Sequence, residues 1–305
     1  MQAKDKENKK SYIMLVSSLM IVGTIGIFRR YIPLSSALIA FFRGMIGSAT
    51  LFIFTKLRKS ENWQGIETKK LVGLIINGTF IGINWILLFE AYNYTTIAKA
   101  TLCYYMQPTI VLLLSPLVLK EKLTARKIAC ALVALIGMIL VSGVVGEKAK
   151  QPGDLKGILF GLGAACFYAL VIILNKKITG VDTYQKTIIQ LASAAVVLIP
   201  YLVITGDFKD IAFNSRLVIL LLIVGIIHTG VAYALYFGSM SGLKAQTIST
   251  LSYIDPVVAM IMSALVLGET MTIWGIIGAV LIIGSAIVSE LEQPIAFLAK
   301  KQDLG

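Results

Sequence analysis

Tyr105-Met106-Gln107-Pro108, followed by Leu117-Val118-Leu119-Lys120-Glu121, returns 148 residues later as Tyr253-Ile254-Asp255-Pro256, followed by Leu265-Val266-Leu267-Gly268-Glu269. The same shift lays Gly82 on Gly230, Leu87 on Leu235, Phe89 on Phe237, Ser115 on Ser263 and Thr124 on Thr272. Two apolar helices share Leu or Val by chance, so those matches weigh little. The aligned Tyr-x-x-Pro and the Glu-x-x-Thr beyond each helix end are harder to obtain by accident, and an internal repeat fixes an architecture before any single element does.

Around these motifs the chain of 305 residues is 57% hydrophobic and only 14% charged, against about 45–50% and 25% in soluble domains. Its charges gather in short segments between apolar runs, each near the roughly 20 residues that cross a bilayer as a helix. Hydropathy places spans at 11–28, 34–55, 71–91, 96–119, 128–145, 155–174, 182–204, 217–237, 246–267 and 272–289. Lys186 interrupts the start of the seventh. The expected fold is an all-α integral membrane protein of ten transmembrane helices in two five-helix repeats. Because each half holds an odd number of spans, the second enters the bilayer from the opposite side, an inverted repeat that places a solute site at the midplane seam.

The expected parts are an N-terminal tail (1–10), a first repeat (11–145), a linker (146–154), a second repeat (155–290) and a C-terminal tail (291–305). Residues 11–28 lack a cleavage site leading into a soluble domain, and are expected to persist as the first helix. With the N-terminus inside, nineteen Lys and Arg fall on cytoplasmic segments and eight on outer ones, the bias expected of a plasma (inner) membrane protein with both termini cytoplasmic. The net charge of +12 therefore caps membrane spans, and no basic stripe or nucleic-acid module accompanies it. Cys103, Cys130 and Cys166 lie in apolar runs, where a free thiol acts as a small hydrophobe; neither disulfide, metal site nor cofactor is expected.

The runs Tyr94-Thr95-Thr96-Ile97-Ala98-Lys99-Ala100-Thr101-Leu102, Gln107-Pro108 and Leu119-Lys120-Glu121, with their echoes Asp255-Pro256 and Leu267-Gly268-Glu269, resemble the EamA-type branch of the drug/metabolite transporter superfamily from about Tyr12 to Ser289. The resemblance implies ten helices in two inverted halves, and export of small metabolites, amino acids or drugs, often in exchange for protons. It is specific for the fold and weak for the substrate.

Charge at mid-bilayer costs about 2.5–3.5 kcal/mol on insertion scales, so each such residue is a candidate for function. Asp255 lies about ten residues, roughly 15 Å, into its span, and its repeat partner Gln107 reaches similar depth from the other side. Ser252 and Tyr104, also repeat partners, precede them by three residues and share their helical faces. Pro256 and Pro108 remove a backbone donor and bend each helix, freeing carbonyls for a ligand or water. A carboxyl whose surroundings change between conformations can take up a proton in one and release it in another, which makes Asp255 the candidate coupling site; a static ion pair or hydrogen bond between halves is the competing role. Arg43 suits a substrate carboxylate or neutralisation of Asp255, while the resemblance implies a structural Arg in this helix. His228, the single histidine, suits a proton relay or an interhelical hydrogen bond. Asn84 and Trp85, with Tyr233 opposite Trp85 in the repeat, are candidates to line the cavity, in competition with helix packing. Glu90 and Lys99 bracket an outer connection and form a candidate gate. Glu121 and Glu269 beyond helix ends, and the small-residue ladders Gly157-Gly161-Ala165-Ala169 and Ala40-Gly44-Ser48, read as structural.

The function expected is secondary transport of a small polar solute by alternating access, with protons, membrane lipid and a second copy of the chain as a homodimer among the expected partners, and no nucleic acid. No His-Glu-x-x-His or Gly-x-Ser-x-Gly supports the alternative of an intramembrane enzyme. A non-transporting receptor or scaffold remains the other alternative.

Overall fold

The computed structural model describes residues 2–57, 65–95, 97–141, 154–209, 211–268 and 272–290, and every regular element among them is helical. In the first half α1 (Gln2–Gly23) and α2 (Ile25–Arg30) are followed by α3 (Ser36–Leu57), α4 (Thr68–Tyr94), α5 (Ile97–Tyr104), α6 (Gln107–Leu119) and α7 (Ala125–Val141). The second half contains α8 (Asp154–Lys177), α9 (Thr183–Thr205), α10 (Ser215–Gly225), a π-helical turn (Ile226–Val231), α11 (Ala232–Ser239), α12 (Ala245–Leu251), α13 (Ile254–Leu267) and α14 (Ile273–Glu290). Among the described residues eight helical segments are long and apolar enough to cross a membrane, and Ile273–Ser289 is a shorter apolar helix. Leu117, Ile204, Leu265 and Val280 are largely exposed on the outside, an apolar surface that suits lipid rather than water.

Several spans differ from continuous helices. The fourth and ninth divide into α5/α6 and α12/α13, the second piece starting one residue before Pro108 and two residues before Pro256. Proline fits the first turn of a helix, where its missing N–H has no partner to lose, so it starts the second piece instead of merely bending one helix. In the eighth span the Thr229 hydroxyl donates to the Val224 carbonyl at 3.0 Å, within the stretch that widens to π geometry. At the seventh, Asp182 accepts from the Tyr184 and Gln185 amides at 2.9 and 3.2 Å, capping α9. Lys186 donates to the Ile178 carbonyl, so the cation that interrupts this span is turned back toward its connecting loop. The helix α1 begins at Gln2, so residues 2–10 extend the first helix where the sequence suggested a tail.

The main packing is between the halves, with α4 on α8 and α9, α3 on α9, α1 on α11 and α7 on α14. In lipid such contacts depend on close approach of backbones, which small residues permit. Gly78 shows the tolerance: a Cβ there would lie 2.5 Å from the Gln190 carbonyl and 2.6 Å from the Ser193 Cβ. Gly78→Leu is expected to destabilise the fold by about 1–3 kcal/mol, the usual cost of overpacking, measurable as a lower melting temperature in detergent. Both predicted small-residue ladders pack in this way: Gly44 meets Leu191 and Ala195 on α9, and Gly157 and Gly161 meet Thr95, Ala100 and Cys103.

Candidate functional site

The two helix breaks bring polar side chains of both halves to one cavity of about 90 Å³, lined by Ser18, Leu19, Val22, Arg43, Tyr104, Tyr105, Gln107, Tyr168, Tyr233, Tyr236, Ser252 and Asp255. Drug-sized ligands usually occupy about 300–1,000 Å³, so the space is constricted. Tyr105, in the break of the first half, donates from its hydroxyl to Asp255 Oδ2 at 2.8 Å. Tyr253, its repeat partner, pairs its hydroxyl with Thr109 at 3.0 Å. Each half thus sends a tyrosine from its break onto the other half's second helix piece.

Arg43 enters from α3. Its Nε donates to the Thr229 hydroxyl at 2.9 Å, and its guanidinium carbon lies 5.8 Å from the Trp85 ring centre, a cation–π arrangement. The π-helical turn therefore has a consequence for the site, because Thr229 belongs to it. Among the described residues Lys70–Glu67 is the one ion pair, so Arg43 and Asp255 line the same cavity without pairing. Gln107 is buried and its amide nitrogen has no hydrogen-bond partner, although a buried donor ordinarily finds one. Tyr233 packs edge-on against Trp85 and Phe237, with centroids 6.5 and 5.5 Å apart. The Tyr104 ring lies 5.6 Å from Tyr105 and 6.0 Å from Tyr168. The Ser252 hydroxyl donates to the Ile248 carbonyl at 2.8 Å and lies 3.4 Å from the Tyr236 hydroxyl.

Asp255, Gln107, Arg43, Ser252, Tyr104 and Tyr233 therefore meet at one site, while His228, Asn84, Trp85 and Glu90 lie outside the cavity lining. His228 contacts Thr24 Oγ1 through Nε2 at 2.9 Å and packs against Phe28, tying the π-helical turn to the kink between α1 and α2. Asn84 donates to the Ala164 carbonyl at 2.6 Å, joining α4 to α8. Trp85 stands behind Arg43 rather than at the cavity wall. Glu90 accepts from the Tyr201 hydroxyl at 2.7 Å and from Asn93 at 3.5 Å; the side chain of Lys99, its expected gate partner, lies outside the described residues, as does Glu269. Residues missed in the sequence are Tyr105, Tyr168, Tyr236 and Ser18. Tyr105 was visible as a repeat match, and Tyr236 through its three-residue spacing from Tyr233.

The sequence matches the EamA-like transporter family twice, over residues 9–143 and 155–290. It is 30% identical over 282 residues to the uncharacterized transporter YxxF of Bacillus subtilis, covering 91% of this chain and 88% of that one. An uncharacterized transporter of Clostridium kluyveri is 31% identical over 214 residues, 68% of each chain. A solved crystal structure shares the fold with a TM-score of 0.81 at 21% identity, over 93% of this chain and 97% of its own. Both halves match one family domain, and the matches leave out little besides the residues between the halves and the two ends, so this chain is a multi-pass membrane transporter that belongs to the EamA-like transporter family.

Proposed function

We propose that the chain exports small zwitterionic metabolites, amino acids or close relatives, across the plasma membrane by alternating access, through ten membrane crossings with both termini cytoplasmic. The observation that carries this reading is the pair Arg43 and Asp255, one from each half, lining a single cavity without pairing to each other. An α-carboxylate suits the planar fork of Arg43, whose Nε is already held by Thr229 and whose remaining donors favour bidentate contact. An ammonium suits Asp255, and Gln107 offers an unsatisfied N–H at the same cavity. The surrounding tyrosines supply apolar faces with hydroxyl tips. Protons are the proposed counter-ion: Asp255 holds one when the substrate ammonium is absent and gives it up when the ammonium arrives.

Screening the purified protein in detergent for thermal stabilisation by amino acids, their amides and their deaminated analogues tests the reading. Stabilisation by zwitterions alone is expected. Equal stabilisation by the amides, which lack the carboxylate, would remove Arg43 from recognition.

Tyr105→Phe removes one hydroxyl and leaves the aromatic ring in the wall. The Asp255 carboxylate then loses its one hydrogen bond among the described residues, and substrate affinity is expected to change by roughly 3–10-fold, the weight of about 1 kcal/mol, read as the apparent KM in proteoliposomes.

A further inference from the structure

Many helix contacts between the halves come in repeat-related pairs. Packing of α1 on α11 matches α8 on α4, and α1 on α13 matches α8 on α6, while α3–α9 and α7–α14 map onto themselves. Two that do not are α5 on α8, whose counterpart would be α12 on α1, and α6 on α12. The counterpart of the latter would be α13 on α5, which have no comparable packing among the described residues. The pieces before the two breaks are thus held differently, α5 mainly by α8 of the other half and α12 mainly by α6.

The α6–α12 contact is polar and crosses from one half to the other. The Ser249 hydroxyl donates to the Pro108 carbonyl at 2.5 Å, and Gln246 Nε2 donates to the Ser115 hydroxyl at 2.8 Å. Thr101, the counterpart of Ser249, bonds to Tyr92 instead. The amides at the start of α12 have no cap from their own N-cap residue, Lys244. Glu121, from the connection after α6, supplies it: Oε1 accepts from the Ala245 amide at 2.8 Å and Oε2 from the Gln246 amide at 3.2 Å. First-turn amides need outside acceptors, and a carboxylate is the strongest available side chain for them. Lys176 of α8 secures the connection between α11 and α12, donating to the Met240 and Leu243 carbonyls at 2.8 and 2.6 Å, and its charge attracts Glu121.

We propose that Glu121 is a positioning residue for transport: its cap on α12 is the latch that keeps the α6–α12 side of the pathway shut, and its release lets the two pieces part. This rests on the alternating-access reading above. A structural cap inside one half would only stabilise a helix. A cap reaching across the moving seam couples helix stability to the conformation of the carrier, so the state with the latch closed is favoured until substrate or protons offset it.

The test uses Leu112→Cys in a background without Cys103, Cys130 and Cys166. Leu112 is buried, between Pro108 and Ser115 on the face of α6 that meets α12. Its labelling by a membrane-impermeant maleimide is timed in vesicles of both orientations. Glu121→Ala is expected to speed labelling from the α6–α12 side about tenfold, the weight of one charge-assisted hydrogen bond. Glu121→Gln, which keeps one carbonyl acceptor, is expected between the two. Unchanged labelling in a monodisperse Glu121→Ala protein overturns the latch; if that variant does not fold, unchanged labelling in Glu121→Gln does the same. Faster labelling in the variant beside a parent chain that moves no solute keeps the latch and refutes the transport reading, whereas unchanged labelling beside a parent that transports refutes the latch alone.

Discussion

Asp255→Asn is expected to slow substrate transport by roughly 10–150-fold, the equivalent of a charge-assisted hydrogen bond of about 1.5–3 kcal/mol, and to abolish its response to a pH gradient. Asparagine keeps the shape of the side chain and an oxygen that still accepts from Tyr105 at the position it now occupies. What disappears is the negative charge and the exchangeable proton. The variant should therefore fold and melt like the parent while losing preference for an amino acid over its deaminated analogue. An unchanged pH response would remove proton coupling from Asp255, and an unchanged preference would remove ammonium recognition as well.

Arg43→Gln should carry a loss of similar size on the other pole, with a rise in apparent KM for carboxylate-bearing substrates and little change for the corresponding amides. Arg43→Lys should not rescue it. The hydrogen bond to Thr229 is made by Nε, which lysine lacks, and a lone ammonium cannot hold Thr229 and offer a planar fork at once. If Arg43 served only to brace α3 against the π-helical turn, both variants would lower the melting temperature and leave discrimination between acid and amide untouched. That contrast separates the two roles that the sequence left level.

The repeat made the architecture legible because Tyr-x-x-Pro and Glu-x-x-Thr are rare enough to align two apolar halves without ambiguity. It also put Gln107 and Asp255 at equivalent positions, and both reach the cavity. Depth in a span was a weaker guide. His228, Asn84 and Trp85 also fall inside apolar spans, yet each faces a neighbouring helix, because packing against partners sets a helix's rotation and hydropathy carries no record of it. Tyr168 escaped notice for the complementary reason. An aromatic in the apolar run Phe167-Tyr168-Ala169 reads as core until α8 is seen against α5 and α6. The role of Glu121 was half legible: its place beyond a helix end read as structural, but the helix it caps is α12, 124 residues away.

Counterflow in proteoliposomes tests most directly whether the cavity between the halves is the pathway. Vesicles loaded with an unlabelled amino acid that stabilises the protein should take up its labelled form with the parent chain, and should lose that uptake with both Asp255→Asn and Arg43→Gln. Undiminished uptake in a folded double variant would show that the solute crosses elsewhere.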